Sequence, residues 1–204
     1  MSGELKIERS RQDIMTQTVL TTERLYLRQW QPSDFAVFAK MNSDPEVMKY
    51  FPKLLSPTLS DVIAKKCQQL IEDNGWGFWA VSLKKSDAFI GMVGLNAAHA
   101  DMPFAPNVEI GWRLHKDYWR QGYATEAARA SLRFAFEELE LDEVVAFTAV
   151  INEHSQLIMQ RIGMSDTQEN FYHPMLDANH RLAEHVLYKI TRQQWQKIIL
   201  TDQG

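Results

Sequence analysis

The chain has 204 residues, of which 45% are hydrophobic and 24% charged, a composition that suits one globular domain with a full core. Its formal charge of −4 argues against a nucleic-acid-binding surface, which is usually basic. No apolar run approaches the ~20 residues that a membrane span needs, and the N-terminus lacks the apolar core of a signal peptide. The single cysteine, Cys67, cannot form an internal disulfide, so we expect a reducing, cytoplasmic location.

The chain divides into a short arm and one domain. Residues 1–20 are largely polar and without periodicity, which predicts a flexible N-terminal arm. Residues 21–204 contain no repeat, low-complexity run or linker, and we expect them to form a single domain.

The first half of the domain alternates between short strands and helices. Alternation predicts strands at residues 24–30, 77–83 and 88–97, with a hairpin turn at 84–87 between the last two. One helix is predicted to begin at Pro32, and a second is predicted to be capped by Thr58 or Ser60 and to stop at Gly75.

The second half begins with a strongly alternating segment. One face carries Val108, Ile110, Trp112 and Leu114, and the other carries Asn107, Glu109, Gly111 and Arg113. A polar turn and an Ala- and Leu-rich helix follow. Further strands are predicted at 143–150, 167–172 and 184–190, with a short helix at 153–162 and a last helix capped by Thr191. Antiparallel strands followed by strands joined through helices predict a mixed sheet.

The turn between that strand and helix has the composition of an anion-binding cradle. Gly122 and Ala124 are small enough to let backbone approach an anion, and the unpaired N–H groups of the helix start would hold it. A Rossmann fingerprint would need two further glycines, and a P-loop would need Gly-Lys-Ser/Thr; the chain has neither here.

This segment resembles the acetyl-CoA-binding motif of the GNAT superfamily of N-acetyltransferases, which runs Arg or Gln, two residues, Gly, one residue, then Gly or Ala. Gly122 and Ala124 fit this motif, while Trp119 fills the Arg/Gln position. Residues 152–164 resemble the second signature of the family, an Asn-led helix that ends in Gly-Phe, with Met164 in place of Phe. The resemblance spans residues 22–195 and is closest to the Rim-type ribosomal-protein N-terminal acetyltransferases.

The resemblance implies a mixed α/β (α+β) fold. Its central, mostly antiparallel sheet would have about seven strands, splayed at the cofactor cleft and flanked by helices. Acetyl-CoA would be the co-substrate, an amine the acceptor, and no metal, nucleic acid or membrane would take part; the chain would be a monomer or homodimer. The expected cofactor-binding residues are Trp112, Arg113, Leu114, Arg120, Gln121, Gly122, Tyr123, Ala124, Thr125 and Asn152.

Glu109 and Ser155 are the candidate catalytic residues. An amine acceptor is mostly protonated near neutral pH, so a carboxylate at Glu109 would have to remove its proton. From the sequence alone, a solvated strand residue is the favoured interpretation of Glu109; the resemblance implies the base, because the family often carries a Glu at this strand position. The resemblance makes Ser155 the acid that protonates the leaving thiolate, since Met159 stands where many relatives carry a Tyr. Ser155 and Asn152 could also simply cap the helix.

Five aromatic residues are candidates for the acceptor pocket: Tyr50, Phe51, Trp76, Phe78 and Trp79. Aromatic side chains more often fill cores, and alternation places Phe78 and Trp79 on opposite faces, so we expect at least one of them in the core. No histidine has a metal-ligand spacing, and Cys67 has no neighbouring base, so direct transfer without an acyl-enzyme is expected.

Two functions remain open at this level. The first is acetyl transfer from acetyl-CoA to a primary amine, either on a small molecule or at a protein or peptide N-terminus. The second is an acyl-CoA-binding or sensor module with reduced catalysis, suggested by Met159 and Trp119 in place of the usual side chains.

Overall fold

The computed structural model describes residues 19–202, which form nine strands and five helices. The strands are β1 (Leu20–Thr21), β2 (Leu25–Arg28), β3 (Phe78–Leu83), β4 (Phe89–Ala97), β5 (Val108–Leu114), β6 (Glu143–Ala149), β7 (Ser165–Asp166), β8 (Phe171–Tyr172) and β9 (Glu184–Thr191). The helices are α1 (Pro32–Asn42), α2 (Pro57–Asn74), α3 (Tyr123–Glu137), α4 (Glu153–Arg161) and α5 (Arg192–Asp202). Most of the expected N-terminal arm, residues 1–18, lies outside the described residues, whereas Leu20 pairs with Leu27.

All nine strands belong to one sheet. Its order is β1-β2-β3-β4-β5-β6-β9-β7, with β8 also alongside β9. Every pairing is antiparallel except that of β5 with β6, which is parallel. The predicted mixed, mostly antiparallel sheet is therefore confirmed. It has nine strands rather than about seven because β1 also pairs and because two short strands, β7 and β8, replace one predicted strand.

Helices cover the sheet on both faces. Trp79 of β3 packs edge-on against Phe134 of α3, with 5.4 Å between the ring centroids, so α3 lies on the face that Trp79 shares with its neighbours. Arg113 of β5 points to the opposite face, where it reaches Asn42 at the end of α1. Because side chains alternate along a strand, Glu109 and Gly111 lie on the same face as Arg113.

The parallel junction between β5 and β6 is short. β4 and β5 pair along their length, from Gly91↔Leu114 to Ala97↔Val108. In contrast, β5 and β6 pair only at Glu109↔Val145 among the described positions. The sheet is therefore open between the carboxyl ends of these two strands, at the edge where the glycine turn follows β5.

Two local predictions were wrong. Ser56 rather than Thr58 or Ser60 caps α2, because Pro57 suits the first helical position and the Ser56 hydroxyl accepts a hydrogen bond from the Leu59 N–H at 3.3 Å. Ser60 is instead buried, where its hydroxyl accepts a hydrogen bond from Asn42 at 2.7 Å.

The strand predicted at residues 167–172 is replaced by β7 and β8. These two short strands are separated by a turn in which Gln168 has a φ of 62°, a value that strand backbone does not adopt. The other predicted elements are confirmed with shifts of one or two residues at their ends. Thr191 caps α5 as expected, accepting a hydrogen bond from the Gln194 N–H at 3.3 Å.

Candidate active site

The glycine turn and the start of α3 form the predicted cradle. Gly122 is the N-cap of α3 with φ 81° and ψ −1°, and no side chain caps the helix. The N–H groups of the first helical residues, Tyr123 to Thr125, therefore have no intrahelical partner, and they point out of the positive end of the helix dipole. The backbone of this segment can bind an anion, while the Tyr123 side chain itself is buried in the core.

A brace from the start of the domain holds this turn in place. The Arg24 Nε lies 2.6 Å from the Glu126 carboxylate, and Arg24 Nη1 donates to the Gln121 carbonyl at 3.0 Å. The Thr22 hydroxyl donates to the same carboxylate at 2.6 Å. Burial alone would raise the pKa of Glu126, but hydrogen bonds from Thr22 and Arg24 outweigh it and lower that pKa, so Glu126 stays ionised. Sequence reasoning missed this brace because about a hundred residues separate its two sides.

Trp119 occupies the position at which the motif has Arg or Gln. Its indole N–H donates to the Leu114 carbonyl at 2.8 Å, so the side chain ties the turn to the end of β5. The turn is therefore fixed without a charged side chain at this position.

Residues 112–114 of β5 border the open edge toward β6. Their side chains divide between the two faces: Leu114 is buried on the α3 face, whereas the Arg113 side chain turns to the α1 face and away from α3. The expectation that Arg113 binds the cofactor therefore applies to its backbone only, because its side chain points away from the cradle.

Glu109 lies half-buried on the α1 face, at the one position where β5 and β6 pair. Its carboxylate accepts a hydrogen bond from the Asn96 side-chain amide at 3.1 Å. Burial raises the pKa of Glu109, and the hydrogen bond from Asn96 only partly offsets this effect. A carboxylate with a raised pKa holds an abstracted proton more firmly than an ordinary one, which suits a general base.

Asn152 and Ser155 meet at the start of α4. The Asn152 side-chain oxygen accepts a hydrogen bond from the Ser155 N–H at 3.4 Å, and its amide donates to the Thr148 hydroxyl at 2.8 Å. Asn152 is thus an N-cap, as one of the two sequence interpretations had it. Ser155 is half-buried, and within residues 19–202 its hydroxyl makes no hydrogen bond to the protein.

Met159, one turn beyond Ser155, is only 1% exposed. The position that carries a tyrosine in many relatives therefore belongs to the core in this protein. A methionine cannot donate a proton, whereas Ser155, one turn earlier on the same helix face, carries the hydroxyl that the resemblance implies as the acid.

The aromatic candidates separate into core and cleft. The inclusion of Trp79 in the acceptor pocket was wrong: it is fully buried against α3, on the opposite face from Glu109. Phe78 lies half-buried on the Glu109 face, and its ring would contact a Cβ at Gly111 at 3.1 Å. Phe51 lies beneath the Arg113 guanidinium, which is 3.9 Å from its ring centroid. Tyr50 and Trp76 are half-buried, with Tyr50 beside the Lys49 ammonium and Trp76 packed on the core.

A second aromatic cluster lies across the β5–β6 junction. Phe147 lies two residues beyond Val145 and so on the Glu109 face, and Phe104, Phe171, His173 and His185 pack around it. Burial lowers the pKa values of both histidines, so they are neutral at pH 7. A cavity of about 310 Å³ adjoins this cluster, lined in part by Phe104, Val145 and Phe171. Sequence reasoning missed this aromatic cluster because its members come from four separate segments of the chain.

Cys67 lies on α2 behind Arg113. Burial raises the pKa of its thiol to about 11, against the opposing pull of Arg113 and Lys66. The thiol is therefore protonated at neutral pH, which agrees with the expectation that it is not a nucleophile. Within residues 19–202, no cluster of side chains is suited to hold a metal ion, and no helix is long and apolar enough to cross a membrane.

Comparison with known proteins identifies the family. The acetyltransferase (GNAT) domain family matches residues 24–165, more than half of the chain. The chain is 31% identical over 199 residues to the FsC-acetyl coenzyme A-N(2)-transacetylase of Aspergillus fumigatus, covering 91% of this chain and 81% of that protein. It is 27% identical to the uncharacterized N-acetyltransferase YnaD of Bacillus subtilis, covering 86% of this chain and 98% of the relative. The chain belongs to the GNAT acetyltransferase family.

Solved structures share the fold. A GNAT-family acetyltransferase from Bacillus anthracis superposes with a TM-score of 0.73 at 24% identity, covering 86% of this chain and 99% of that one. A RimL ribosomal-protein α-N-acetyltransferase in complex with coenzyme A gives a TM-score of 0.69 at 14% identity, covering 85% and 98%. Rim-type enzymes are thus among the structural neighbours, in line with the resemblance. The protein is an N-acetyltransferase, and its family takes the acetyl group from acetyl-CoA.

Proposed function

We propose that this protein transfers an acetyl group directly from acetyl-CoA to a primary amine, with Glu109 as general base. The observation that carries the proposal is the position of Glu109. It is a half-buried carboxylate with a raised pKa, and it lies where β5 and β6 stop pairing. An acceptor reaching the open junction from the α1 face would meet this carboxylate first.

The residues present fit a bound CoA. The uncapped start of α3 offers free N–H groups to the pyrophosphate, and Gly122 adds no side chain to obstruct it. On the side that faces β6, residues 112–114 of β5 have no partner strand, so their backbone groups there are available to the amides of the pantetheine arm. Arg120 and Gln121 are exposed beside the turn, where their side chains can reach the phosphates.

The acid–base steps follow from this arrangement. Glu109 accepts a proton from the acceptor ammonium, and the freed amine nitrogen then attacks the thioester carbonyl carbon. As the new C–N bond forms and the C–S bond breaks, Ser155 donates its hydroxyl proton to the leaving thiolate and recovers a proton from the attacking nitrogen, which loses its second proton as the amide forms. Glu109 then releases its proton to solvent. Thiolate is a tolerable leaving group by itself, so we assign the larger share of catalysis to Glu109.

The competing function is a sensor that binds acyl-CoA with reduced turnover. Trp119 and the buried Met159 favour it, because both replace side chains that many relatives use. Glu109, half-buried at the β5–β6 junction, and Ser155, half-buried at the start of α4, favour catalysis. We also propose a reducing, cytoplasmic location, because the single cysteine cannot form an internal disulfide.

Two measurements together test the proposal. Calorimetry with acetyl-CoA should show saturable binding, and acetyl-CoA with a panel of amino acids, polyamines, aminoglycosides and N-terminal peptides should release free thiol with at least one acceptor. Saturable binding without turnover on any acceptor would favour the sensor. Absence of binding at high micromolar acetyl-CoA would refute both functions.

A further inference from the structure

The Arg113 guanidinium is a cation with no acidic partner among residues 19–202. Nη1 donates to the Asn42 side-chain oxygen at 2.7 Å, and the guanidinium lies over the Phe51 ring at 3.9 Å. Its Nε is buried and makes no hydrogen bond. Burial lowers the pKa of Arg113 to about 10, with only the Cys67 thiol acting in the opposite direction. The group stays charged at neutral pH, so its burial without a counter-ion costs stability.

Arg28 shows how the same chain gives a partly buried arginine a counter-ion. Its guanidinium makes two hydrogen bonds to the Asp34 carboxylate, at 2.8 and 3.0 Å, although its Nε, like that of Arg113, is buried and makes no hydrogen bond. This ion pair joins β2 to the start of α1. Arg113 has the neutral Asn42 in place of a carboxylate, so within residues 19–202 its charge has no counter-ion and can attract an external anion.

Arg113 and Glu109 stand at two ends of one surface. Both extend from β5 on the α1 face, and four residues of strand place their Cα atoms about 13 Å apart. Gly111 lies between them, and the Phe78 ring covers this position, 3.1 Å from where a Cβ of residue 111 would stand. This face of β5 therefore has a proton acceptor at one end and a positive charge at the other.

We infer that Arg113 binds a carboxylate of the acceptor, so that the substrate class is an amine that also carries a carboxylate. This inference rests on the proposed function of Glu109 as the base for the amine. Phe51 and Asn42 hold the guanidinium in one orientation, so its positive charge attracts a carboxylate while Nη2 is left to donate a hydrogen bond to it. The distance between the two ends fixes which amine of the molecule reaches Glu109.

The anion in question is not the pyrophosphate of CoA. The cradle lies at the start of α3, which covers the opposite face of the sheet, and the Arg113 side chain turns away from it. A change at Arg113 should therefore alter acceptor recognition and leave the KM for acetyl-CoA within about twofold.

The test compares matched acceptors. A series of ω-amino acids of increasing chain length is assayed beside the alkylamines that lack the carboxylate, and short peptides are assayed with and without an acidic second residue. The measured quantity is the ratio of kcat/KM for each carboxylate-bearing acceptor to that of its partner. The free amino acids and the peptides distinguish a small-molecule carboxylate from an acidic peptide side chain.

Arg113→Gln removes the charge and keeps a planar amide that can donate to Asn42. We expect the carboxylate preference to fall roughly 10- to 100-fold, the range for lost hydrogen bonds to a charged group. Arg133→Gln, which makes the same change on the exposed side of α3, is the control and should leave the ratio unaltered.

Three results would overturn the inference. The first is a wild-type enzyme that shows no preference for carboxylate-bearing acceptors. The second is an Arg113→Gln variant in which kcat/KM falls equally for both acceptors of a matched pair, as it would if Arg113 were merely structural. If no amine is acetylated, the proposed function fails, and calorimetry of the same acceptors in the presence of CoA tests carboxylate binding by Arg113 separately. The third result is equal affinity of wild type and Arg113→Gln for the carboxylate-bearing acceptors in that experiment.

Discussion

The cofactor cradle and the acceptor face are built in different ways. The cradle comes from one continuous stretch, residues 119–125, and presents mainly backbone N–H groups. The acceptor face is assembled from side chains of several segments, among them Asn42, Phe51, Phe78 and Glu109. A backbone site tolerates changes of side chain, as Trp119 illustrates, whereas a side-chain site changes its specificity with each substitution.

Glu109→Gln should have the largest effect and should act on the acceptor side alone. The amide keeps the size of the side chain and can still accept from Asn96, but it cannot take a proton. We expect kcat to fall by roughly 10²–10⁴-fold, the range of general-base catalysis, with little change in acetyl-CoA affinity. The rising limb of the wild-type pH–rate profile should also shift or disappear in the variant.

Steady-state kinetics over a pH series, with calorimetry for acetyl-CoA, checks this outcome. Glu143→Gln is a suitable control, since Glu143 is a carboxylate on the same face, bound to Asn107 and Lys189. Near-normal turnover of Glu109→Gln at pH 7 would mean that Glu109 is only a polar strand residue.

Among the functional properties, Gly122→Val should change only the affinity for acetyl-CoA. A β-branched side chain at φ 81° is strained by about 1–3 kcal/mol, and its Cβ would stand 3.3 Å from Arg24 Nη2, so it would also disturb the brace that holds the turn. We expect acetyl-CoA affinity to fall at least about 10-fold and the melting temperature to drop. Gly122→Asn tolerates the left-handed conformation and separates the two effects, because it should keep most of the stability while still weakening binding. Unaltered acetyl-CoA affinity in both variants would show that the cradle does not bind acetyl-CoA.

Arg24→Ala should have a smaller effect on the cradle through its brace. Arg24 contacts Glu126 and the Gln121 carbonyl from outside the turn, and it is partly exposed, so we expect the KM for acetyl-CoA to rise only about 3- to 10-fold. A double-mutant cycle with Glu126→Ala should show less than additive effects, because both changes break one contact. Fully additive effects would show that the two side chains act independently.

The smallest expected effect is on stability, and it has a definite sign with pH. The folded state raises the pKa of Glu109, so the carboxyl favours folding most below its unfolded pKa and loses that contribution as pH rises through the folded pKa. The Gln side chain of Glu109→Gln does not titrate. The melting temperature of the variant should therefore rise relative to that of wild type as pH increases through this window. Thermal melts at mildly acidic and neutral pH measure the difference. A constant difference between the two proteins would show that burial does not perturb Glu109.

The sequence predicted the strand, turn and helix of the proposed cradle because their signals are local. Gly122, Ala124 and the helix after them form one strand–turn–helix unit, and neither long-range contacts nor register are needed to recognise it. The alternation in β5 likewise placed Glu109 and Arg113 on one face. The burial of Trp79 in the core could not be predicted, because alternation places Trp79 and Phe78 on opposite faces without showing which face α3 covers. The Arg24–Glu126 brace and the cluster around Phe147 depend on tertiary contacts between distant segments, for which a single sequence carries no signal.

The burial of Cys67 allows a thiol-reactive dye to measure both turnover and local opening of the protein. Its thiol is 5% exposed, has a pKa of about 11, and is the only cysteine in the chain. A thiol-reactive dye should therefore detect CoA released during turnover with little background from the native enzyme. The same dye should label Cys67 once α2 separates from the sheet, so the labelling rate in the absence of substrate measures how often this half of the molecule opens.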